Sequence, residues 1–406
     1  MGETIRSRGM RDILPDEMER FRRIESSFRD VCLGWGYAEV RTPTIEHLFL
    51  FTSAGTLSPQ MLDRVYSFLD WDGWSGERVV LRPDSTIPTV RLFEENMPDK
   101  DDAKLFYVQN VFRFEQGDAS REDWQCGVEL LGDTFPHGDI ELILMATEVA
   151  SRLGVDVGLK LSHPGIVRAV LDRAGLTPPE QAGVYDRILA SDHAALDALG
   201  GKLSLKQPVS GLLAMEGDGP EYLHNLRAML ASNIPGIEEP LAQLQSVSSV
   251  IAGLGVPHQI SPLGVRDFEY YTGPVFSLEI DGVRIGGGGR YDSLAGLIGG
   301  RPTPASGFAL EMERLAERIP AAAALGPTVT IRRTEGGELA DAFRLASALR
   351  ESNLGIGVTV GAQRSQREVI VSGVGFTLNW NDGSPRKCVD ADEVAKAVAE
   401  ALAQDR

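Results

Sequence analysis

Residues Arg266 to Asp292, RDFEYYTGPVFSLEIDGVRIGGGGRYD, combine groups that a hairpin does not need for its own pairing. Arg266, the adjacent Tyr270 and Tyr271, several acids, four consecutive glycines and Tyr291 suit a site that holds a small polar ligand, either to transform it or to detect it. Successive side chains of a strand point to opposite faces, so only one of Tyr270 and Tyr271 can reach a given pocket. Gly286 to Gly289 lack the Lys-Ser/Thr that completes a phosphate-binding loop. They are read instead as positions where backbone closes on backbone or on a ligand.

These groups need a framework, and hydrophobic periodicity outlines one. Asp16 with Glu19 three residues on resembles a capping box, and Met18, Phe21, Ile24, Phe28 and Val31 recur at helical spacing until Gly34-Trp-Gly-Tyr37 ends the run. Ala38 to Thr42 and Arg78 to Leu81 read as strands. The second runs into Arg82-Pro-Asp-Ser-Thr86, where Asp84 or Ser85 is placed to cap a helix. Leu105 to Glu115 and Trp124 to Leu131 predict an antiparallel pair, His137 to Leu153 a helix, and Val155 to Leu161 a further strand. From His163 to about Gln243 the pattern is helical, punctuated at Pro178-Pro179, Gly200-Gly201 and Gly217-Asp-Gly-Pro220, and is read as an insertion (about 163–245). Strand returns from Val265 to Arg284 with Asp281-Gly282 as a two-residue turn, and Ala305 to Leu315 passes from strand into helix. Past the small-residue joint Ala321 to Pro327, a strand at Val329 and Ile331, a helix from Glu338 to Glu351, three short strands and a helix from Asp392 to Ala403 predict a small α/β domain over 326–406. The first 320 residues are read as one core.

The totals narrow the function. A chain of 406 residues holds two or three domains. Its start lacks the apolar core of a signal peptide and no run is long enough to span a membrane, so a cytoplasmic protein is expected. Cys32, Cys126 and Cys388 are widely separated and read as buried thiols, and neither they nor the six histidines have metal-ligand spacing, so no metal or other cofactor is expected. With 58 acids against 40 bases the net charge is −18, which counts against a nucleic-acid partner.

Seven segments, in order, resemble the histidyl-tRNA synthetase core over about residues 9 to 318: Gly9-Met-Arg-Asp-Ile-Leu-Pro15, Arg82-Pro-Asp-Ser-Thr86, Val111-Phe-Arg-Phe-Glu115, Gln125-Cys-Gly-Val-Glu129, Glu269-Tyr-Tyr-Thr-Gly273, Gly288-Gly-Arg-Tyr-Asp292, and Gly307-Phe-Ala309 with Glu313-Arg-Leu315. The resemblance implies an α/β (α+β) fold, a class II aminoacyl-tRNA synthetase-like antiparallel sheet flanked by helices. Two families share that core: the synthetase, and the regulatory subunit of short-form ATP phosphoribosyltransferase, which assembles with a small catalytic subunit in histidine biosynthesis. In the family pattern Asp84, Thr86, Arg113, Gln125, Glu129, Arg266, Tyr270 or Tyr271, and Tyr291 fall on histidine-binding positions, Tyr271 being favoured of the two. The side chains suit that ligand, because imidazole and ammonium need acceptors such as Asp84, Gln125 and Glu129, and a carboxylate needs a donor such as Arg113.

The nucleotide half separates the two families. Arg113, Arg266 and Arg314 stand at the synthetase's arginine positions. Yet the loop Glu115 to Asp123 carries one base against four acids, and Glu311 replaces a glycine that the synthetase uses beside ATP. Asp84 followed by Ser-Thr also resembles the regulatory family. From Leu325 to Arg406 there are ten Lys plus Arg and eleven Asp plus Glu, and Gly361 to Arg367 is too short a link for a full helix, so this domain resembles a degenerate anticodon-binding domain with no basic footprint. The expected protein is a non-catalytic, histidine-sensing regulatory subunit of ATP phosphoribosyltransferase. It would have a homodimeric core formed through its first helix and strand region, as related cores have. The alternatives are an active synthetase or a paralogue that adenylates another acid, and a free-standing amino-acid-binding module.

Overall fold

The computed structural model describes residues 5–54, 65–71, 76–114, 119–189, 216–264, 271–320, 327–381 and 383–405. The chain forms two compact units, Met1–Pro320 and Ala321–Arg406.

Unit one begins with α1 (Pro15–Gly34). Proline at the first position supplies a helical φ and gives up only an N–H that has no helical partner. The cap is the extended Leu14 without a side-chain bond, so Asp16 lies inside the first turn and does not cap. Phe21, Ile24, Phe28 and Val31 are buried as their spacing predicts, and the Phe28 ring meets Phe106 and Phe308 edge-on at 6.0 and 6.3 Å. Next come β1 (Ala38–Glu39), β2 (Ile45–His47), α2 (Leu48–Ser53), β3 (Ser67–Trp71), β4 (Gly76–Leu81), α3 (Thr86–Asn96), β5 (Ala103–Phe112), β6 (Glu122–Leu131), α4 (His137–Leu153) and β7 (Gly158–Ser162). The strand expected from Ala38 to Thr42 is therefore shorter. Its continuation is tied instead by Val40 N–H to the Phe106 carbonyl at 2.9 Å and by the buried Thr42–Gln109 side-chain contact.

Helices α5 (Pro164–Arg173), α6 (Pro178–Leu189), α7 (Gly219–Leu230) and α8 (Glu238–Gly253) follow, with β8 (Gly217–Asp218) and β9 (Gln259–Ile260) at the sheet edge. Gly200-Gly201, the start of the predicted 265–284 strand, and Glu115 to Asp118 of the acidic loop lie outside the described residues. Then β10 (Val275–Ile280) and β11 (Val283–Arg290) pair around Asp281-Gly282, both with positive φ (50° and 74°), the conformation of a type I′ hairpin turn. α9 (Leu294–Leu297), β12 (Ala305–Glu311) and α10 (Met312–Ala316) complete the unit.

The large sheet runs β1-β5-β6-β12-β11-β10-β7-β9-β8 and is antiparallel except at β1/β5 and β7/β9. Its register aligns Leu105, Glu129, Gly307, Gly289 and Val275 in one row, and Tyr107, Gly127, Ala309 and Gly287 in the next. Because strand side chains alternate, odd-numbered residues of the central strands share one face and even-numbered ones the other. The even face, with Phe106, Cys126, Val128, Leu130, Phe308 and Leu310, packs with α1 and α4 into the main core. On the odd face Leu105, Leu131 and Tyr291 join Ile87, Val90 and Phe93 of α3 in a second, smaller cluster. A separate three-stranded sheet runs β2-β4-β3.

Unit two holds β13 (Thr328–Arg333), α11 (Leu339–Glu351), β14 (Gly357–Val360), β15 (Arg367–Ser372), β16 (Gly375–Trp380), β17 (Arg386–Cys388) and α12 (Ala391–Gln404), with sheet order β14-β13-β15-β16-β17. β17 has only three residues, and the sequence pattern does not register it.

Candidate functional site

The odd face of the sheet is nearly bare at its centre and polar around the rim. Gly127, Gly307, Ala309, Gly287 and Gly289 put almost no side chain there. A Cβ on Gly307 would fall onto the Glu129 carboxylate and the Tyr291 hydroxyl, and one on Gly127 onto the Tyr107 hydroxyl. The glycine run of β11 has a further cause. A Cβ at Gly286 would stand 2.5 Å from the Ala309 carbonyl oxygen, and one at Gly289 2.6 Å from that of Pro274, so these glycines permit close backbone packing rather than cradle a phosphate.

Glu129 is the centre of the rim. It is fully buried, and its Oε2 accepts from the Tyr291 hydroxyl. Among the described residues its Oε1 has no hydrogen bond of good geometry. Burial pushes its pKa up to about 8, opposed by the Tyr291, Thr86 and Tyr107 hydroxyls and reinforced by the Asp84 charge. An under-satisfied, buried acceptor lined by hydroxyls is a place for a ligand's N–H donor. The Tyr271 and Tyr291 rings lie 6.4 Å apart at 53°, forming an aromatic wall.

Asp84 and Thr86 arrive from the start of α3. Of the two capping candidates it is Asp84 that acts: its Oδ1 accepts the Ile87 N–H at 2.9 Å, while Ser85 makes no side-chain cap bond. Arg82 fixes this entry. Its buried guanidinium donates to the carbonyls of Thr42 (2.9 Å), Pro43 (3.0 Å) and Asn110 (2.6 Å) and to Asn110 Oδ1 (2.7 Å), pinning the approach to β2, the end of β4 and the end of β5 together. Arg113, in the coil after β5, donates to the Pro83 carbonyl at 3.0 Å, beside Asp84.

Asp84, Thr86, Glu129 and Tyr291 thus converge with Tyr271 on one site, and Arg113 stands at its edge. Gln125 shares the odd face four residues from Glu129, and no side-chain hydrogen bond joins it to the others among the described residues. Arg266 and Tyr270 lie outside the described residues. Sequence reasoning passed over Tyr107 and Arg82 as site residues. Tyr107 had a signal in its parity with Leu105 and Gln109 and its pairing opposite Gly127, whereas Arg82 acts through main-chain carbonyls that no motif displays.

Beyond Gln125 the face changes character. Glu311 sits opposite Gln125 and pairs with Arg314 (2.7 Å) and Arg284 (3.7 Å). The neighbouring Glu313 accepts the Trp124 N–H at 3.0 Å, and burial raises its carboxyl to about 7. No cluster of metal-ligating side chains occurs among the described residues.

A mostly antiparallel sheet covered by helices on both faces, with a polar site at the centre of the face under α3, defines a class II aminoacyl-tRNA synthetase-like core. The family model "Histidyl-tRNA synthetase" matches residues 9–315. An ATP phosphoribosyltransferase regulatory subunit of Dehalococcoides mccartyi is 45% identical over 354 residues, 86% of each chain. A histidine–tRNA ligase of Archaeoglobus fulgidus is 34% identical over 361 residues, covering 85% of this chain and 83% of its own. In fold, the chain matches an ATP phosphoribosyltransferase regulatory subunit/histidyl-tRNA synthetase of Bacillus halodurans, with TM-score 0.76, 23% identity, and coverage of 92% and 99%. This chain belongs to the histidyl-tRNA synthetase-like family that includes the ATP phosphoribosyltransferase regulatory subunits.

Proposed function

We propose that this chain is the non-catalytic regulatory subunit of a short-form ATP phosphoribosyltransferase, and that it binds histidine at Glu129 as an allosteric effector. The ligand reading is carried by the buried Glu129 carboxyl, ringed by the Tyr291, Tyr107 and Thr86 hydroxyls and beside Tyr271 and Asp84. Among the described residues its Oε1 has no hydrogen bond of good geometry, and it suits an imidazole N–H. Arg113, Gln125 and Tyr107 extend the same pocket toward the α-carboxylate and ammonium, and Arg266 and Tyr270 are proposed at its rim. The regulatory role is supported by the 45% identity to proteins of that name and by the carboxylate of Glu311 among the nearby arginines. Histidine would act by binding the states of the partner enzyme's complex with different affinity. A cytoplasmic location, a homodimeric core, and a C-terminal domain derived from an anticodon-binding domain belong to the same proposal. Mixing the chain with a separately purified short-form catalytic subunit is expected to produce phosphoribosyl transfer that responds to histidine.

Active histidyl-tRNA synthetase is the second reading. It is favoured by Arg113, whose guanidinium has no ion pair among the described residues, and by the 34% identity to a histidine–tRNA ligase. Histidine-dependent ATP–pyrophosphate exchange by the chain alone would overturn the regulatory reading.

A further inference from the structure

Tyr291 presents its hydroxyl to Glu129 on the odd face of the sheet, and the residue before it works on the other face. Arg290 is even-numbered, so its side chain enters the layer between the sheet and α4, where only 4% of it is exposed. Its Nη2 donates to Asp139 Oδ2, in the first turn of α4, at 2.5 Å, and its Nε donates to the same oxygen at 3.0 Å. Its Nη1 donates to Asp292 Oδ1 at 3.0 Å and to the Asp133 carbonyl at 3.3 Å. One guanidinium thus ties the connection between β6 and α4, the start of α4 and the residue after Tyr291.

The same arginine holds the second tyrosine. Its carbonyl accepts the Thr272 N–H at 2.8 Å, and its own N–H donates to the Pro274 carbonyl at 3.1 Å. A Cβ on Gly273 would stand 3.0 Å from Arg290 Cβ and Cδ, so the segment after Tyr271 lies directly on the arginine's stem. Thr272 Oγ1 then accepts the Asp292 N–H at 2.9 Å, and Asp292 Oδ1 accepts the Ala305 N–H at 3.0 Å. Tyr271 and Tyr291, the aromatic wall of the pocket, are each one residue away from this knot. The Asp139 side chain is 3% exposed. A buried ion pair adds little net stability over apolar side chains of the same volume, because both charges lose their water. What a guanidinium meeting a carboxylate through two nitrogens adds is a fixed geometry.

We infer that Arg290 and Asp139 are positioning residues of the Glu129 site: from the opposite face of the sheet the pair sets the Tyr291 hydroxyl on the Glu129 carboxyl and the Tyr271 ring against Tyr291. Both act through the tyrosines and not on the ligand. This deepens the proposed function and rests on it only in taking that ligand to be histidine.

Infrared difference spectroscopy on the full chain reads the geometry with no ligand present. The Tyr291 hydroxyl favours the charged form of Glu129, so its loss moves the titration of that carboxyl upward from about 8. The carboxyl band that E129Q removes is expected to titrate roughly half a pH unit or more higher in D139N, and likewise in R290K, whose single amine cannot serve Asp139, Asp292 and the Asp133 carbonyl together. The double variant D139N/R290M leaves no buried charge without its partner, so it keeps the chain folded should the single variants fail, and it is expected to show the same rise. In a Y291F background D139N should move the band no further. A pair that served stability alone would lower the melting temperature and leave the midpoint in place. An unmoved midpoint in D139N/R290M, or a rise that persists in Y291F, would overturn the inference. Calorimetry alongside is expected to show histidine binding weakened roughly tenfold in D139N. A raised midpoint in a chain that binds no histidine before substitution sinks the ligand reading and leaves the positioning pair standing. Histidine binding that D139N leaves intact, with an unmoved midpoint, does the reverse.

Discussion

Glu129 makes the site sensitive to pH in two ways. Burial raises its pKa from 4.5 to about 8, so the folded protein keeps a proton that the unfolded chain has lost, and stability falls as pH rises from about 4.5 through 8. Histidine binding at the proposed pocket would follow the same proton. Below roughly 6.5 the free imidazole is already charged, so closing it against a protonated Glu129 expels one proton. Above 8 both groups are unprotonated, and binding takes one up. Between these limits the pair holds one proton before and after, whichever atom carries it. Histidine affinity is therefore expected to peak between about 6.5 and 8, with proton release on the acid side and uptake on the alkaline side, as read by calorimetry in buffers of different ionisation enthalpy. Glu129→Gln should weaken binding roughly tenfold to a hundredfold and flatten the profile, since the amide cannot exchange the proton. Unchanged affinity in that variant would remove Glu129 from the pocket. The sequence displayed Glu129, Asp84, Thr86 and Tyr291 through motifs. It did not display that Glu129 would be wholly buried with one oxygen lacking a well-formed hydrogen bond among the described residues, because that depends on which strand neighbours lack side chains.

The elements that place these groups were legible where local rules agree. α1, α4 and the β10–β11 hairpin combine periodicity with a proline start, a left-handed Gly154 end and an Asp281-Gly282 turn. The two helices fall close to their predicted ranges and the turn falls where it was expected, whereas the strands around it are Val275–Ile280 and Val283–Arg290 and not the single predicted run from Val265 to Arg284. The β2-β4-β3 sheet was legible only at β4. β2 has three residues and buries its polar Glu46 between the exposed Ile45 and His47, and β3 is exposed along its whole length, so neither shows an apolar alternation. Pairing partners were the other hidden quantity, and they decide the site's floor. Gly307 stands between Glu129 and Gly289 in the register, and a Cβ there has nowhere to go but into the Glu129–Tyr291 pair. Gly307→Ala is expected to lower stability by about 1–3 kcal/mol, from crowding of a packed position. The same variant should lose histidine binding more completely than the stability change alone explains. Thermal melts beside calorimetry test this: a fully stable variant with normal binding would show that the floor is looser than the backbone implies.

Across the molecule, one surface is unfinished. On unit one, Ile45, Phe49, Phe68, Leu69 and Trp71 are 48, 76, 41, 57 and 66% exposed, and they come from the small β2-β4-β3 sheet and its adjoining α2. Among the described residues β3 is an edge strand, with a row of main-chain donors and acceptors that no other described strand pairs, and its side chains are open on both faces. A mixed-charge cleft lined by His47, Glu77, Arg78, Arg91 and Glu95 adjoins it, the polar rim that an interface needs around an apolar centre. A second copy of the chain is the occupant that the proposed homodimer supplies. Each chain carries a net charge of −18, so two copies repel, and their association must rest on apolar burial. Moderate salt, by screening that repulsion, is expected to tighten the dimer rather than loosen it. Replacing Leu69 and Trp71 together by serine should shift the chain from dimer to monomer in sedimentation at micromolar concentration while leaving the thermal transition of the core in place. Because the Glu129 site lies on a different sheet, the monomeric variant is expected to keep its histidine affinity within roughly twofold, the spread expected of well-separated sites. A variant that stays dimeric, or an unsubstituted chain that sediments as a monomer, would move the interface elsewhere.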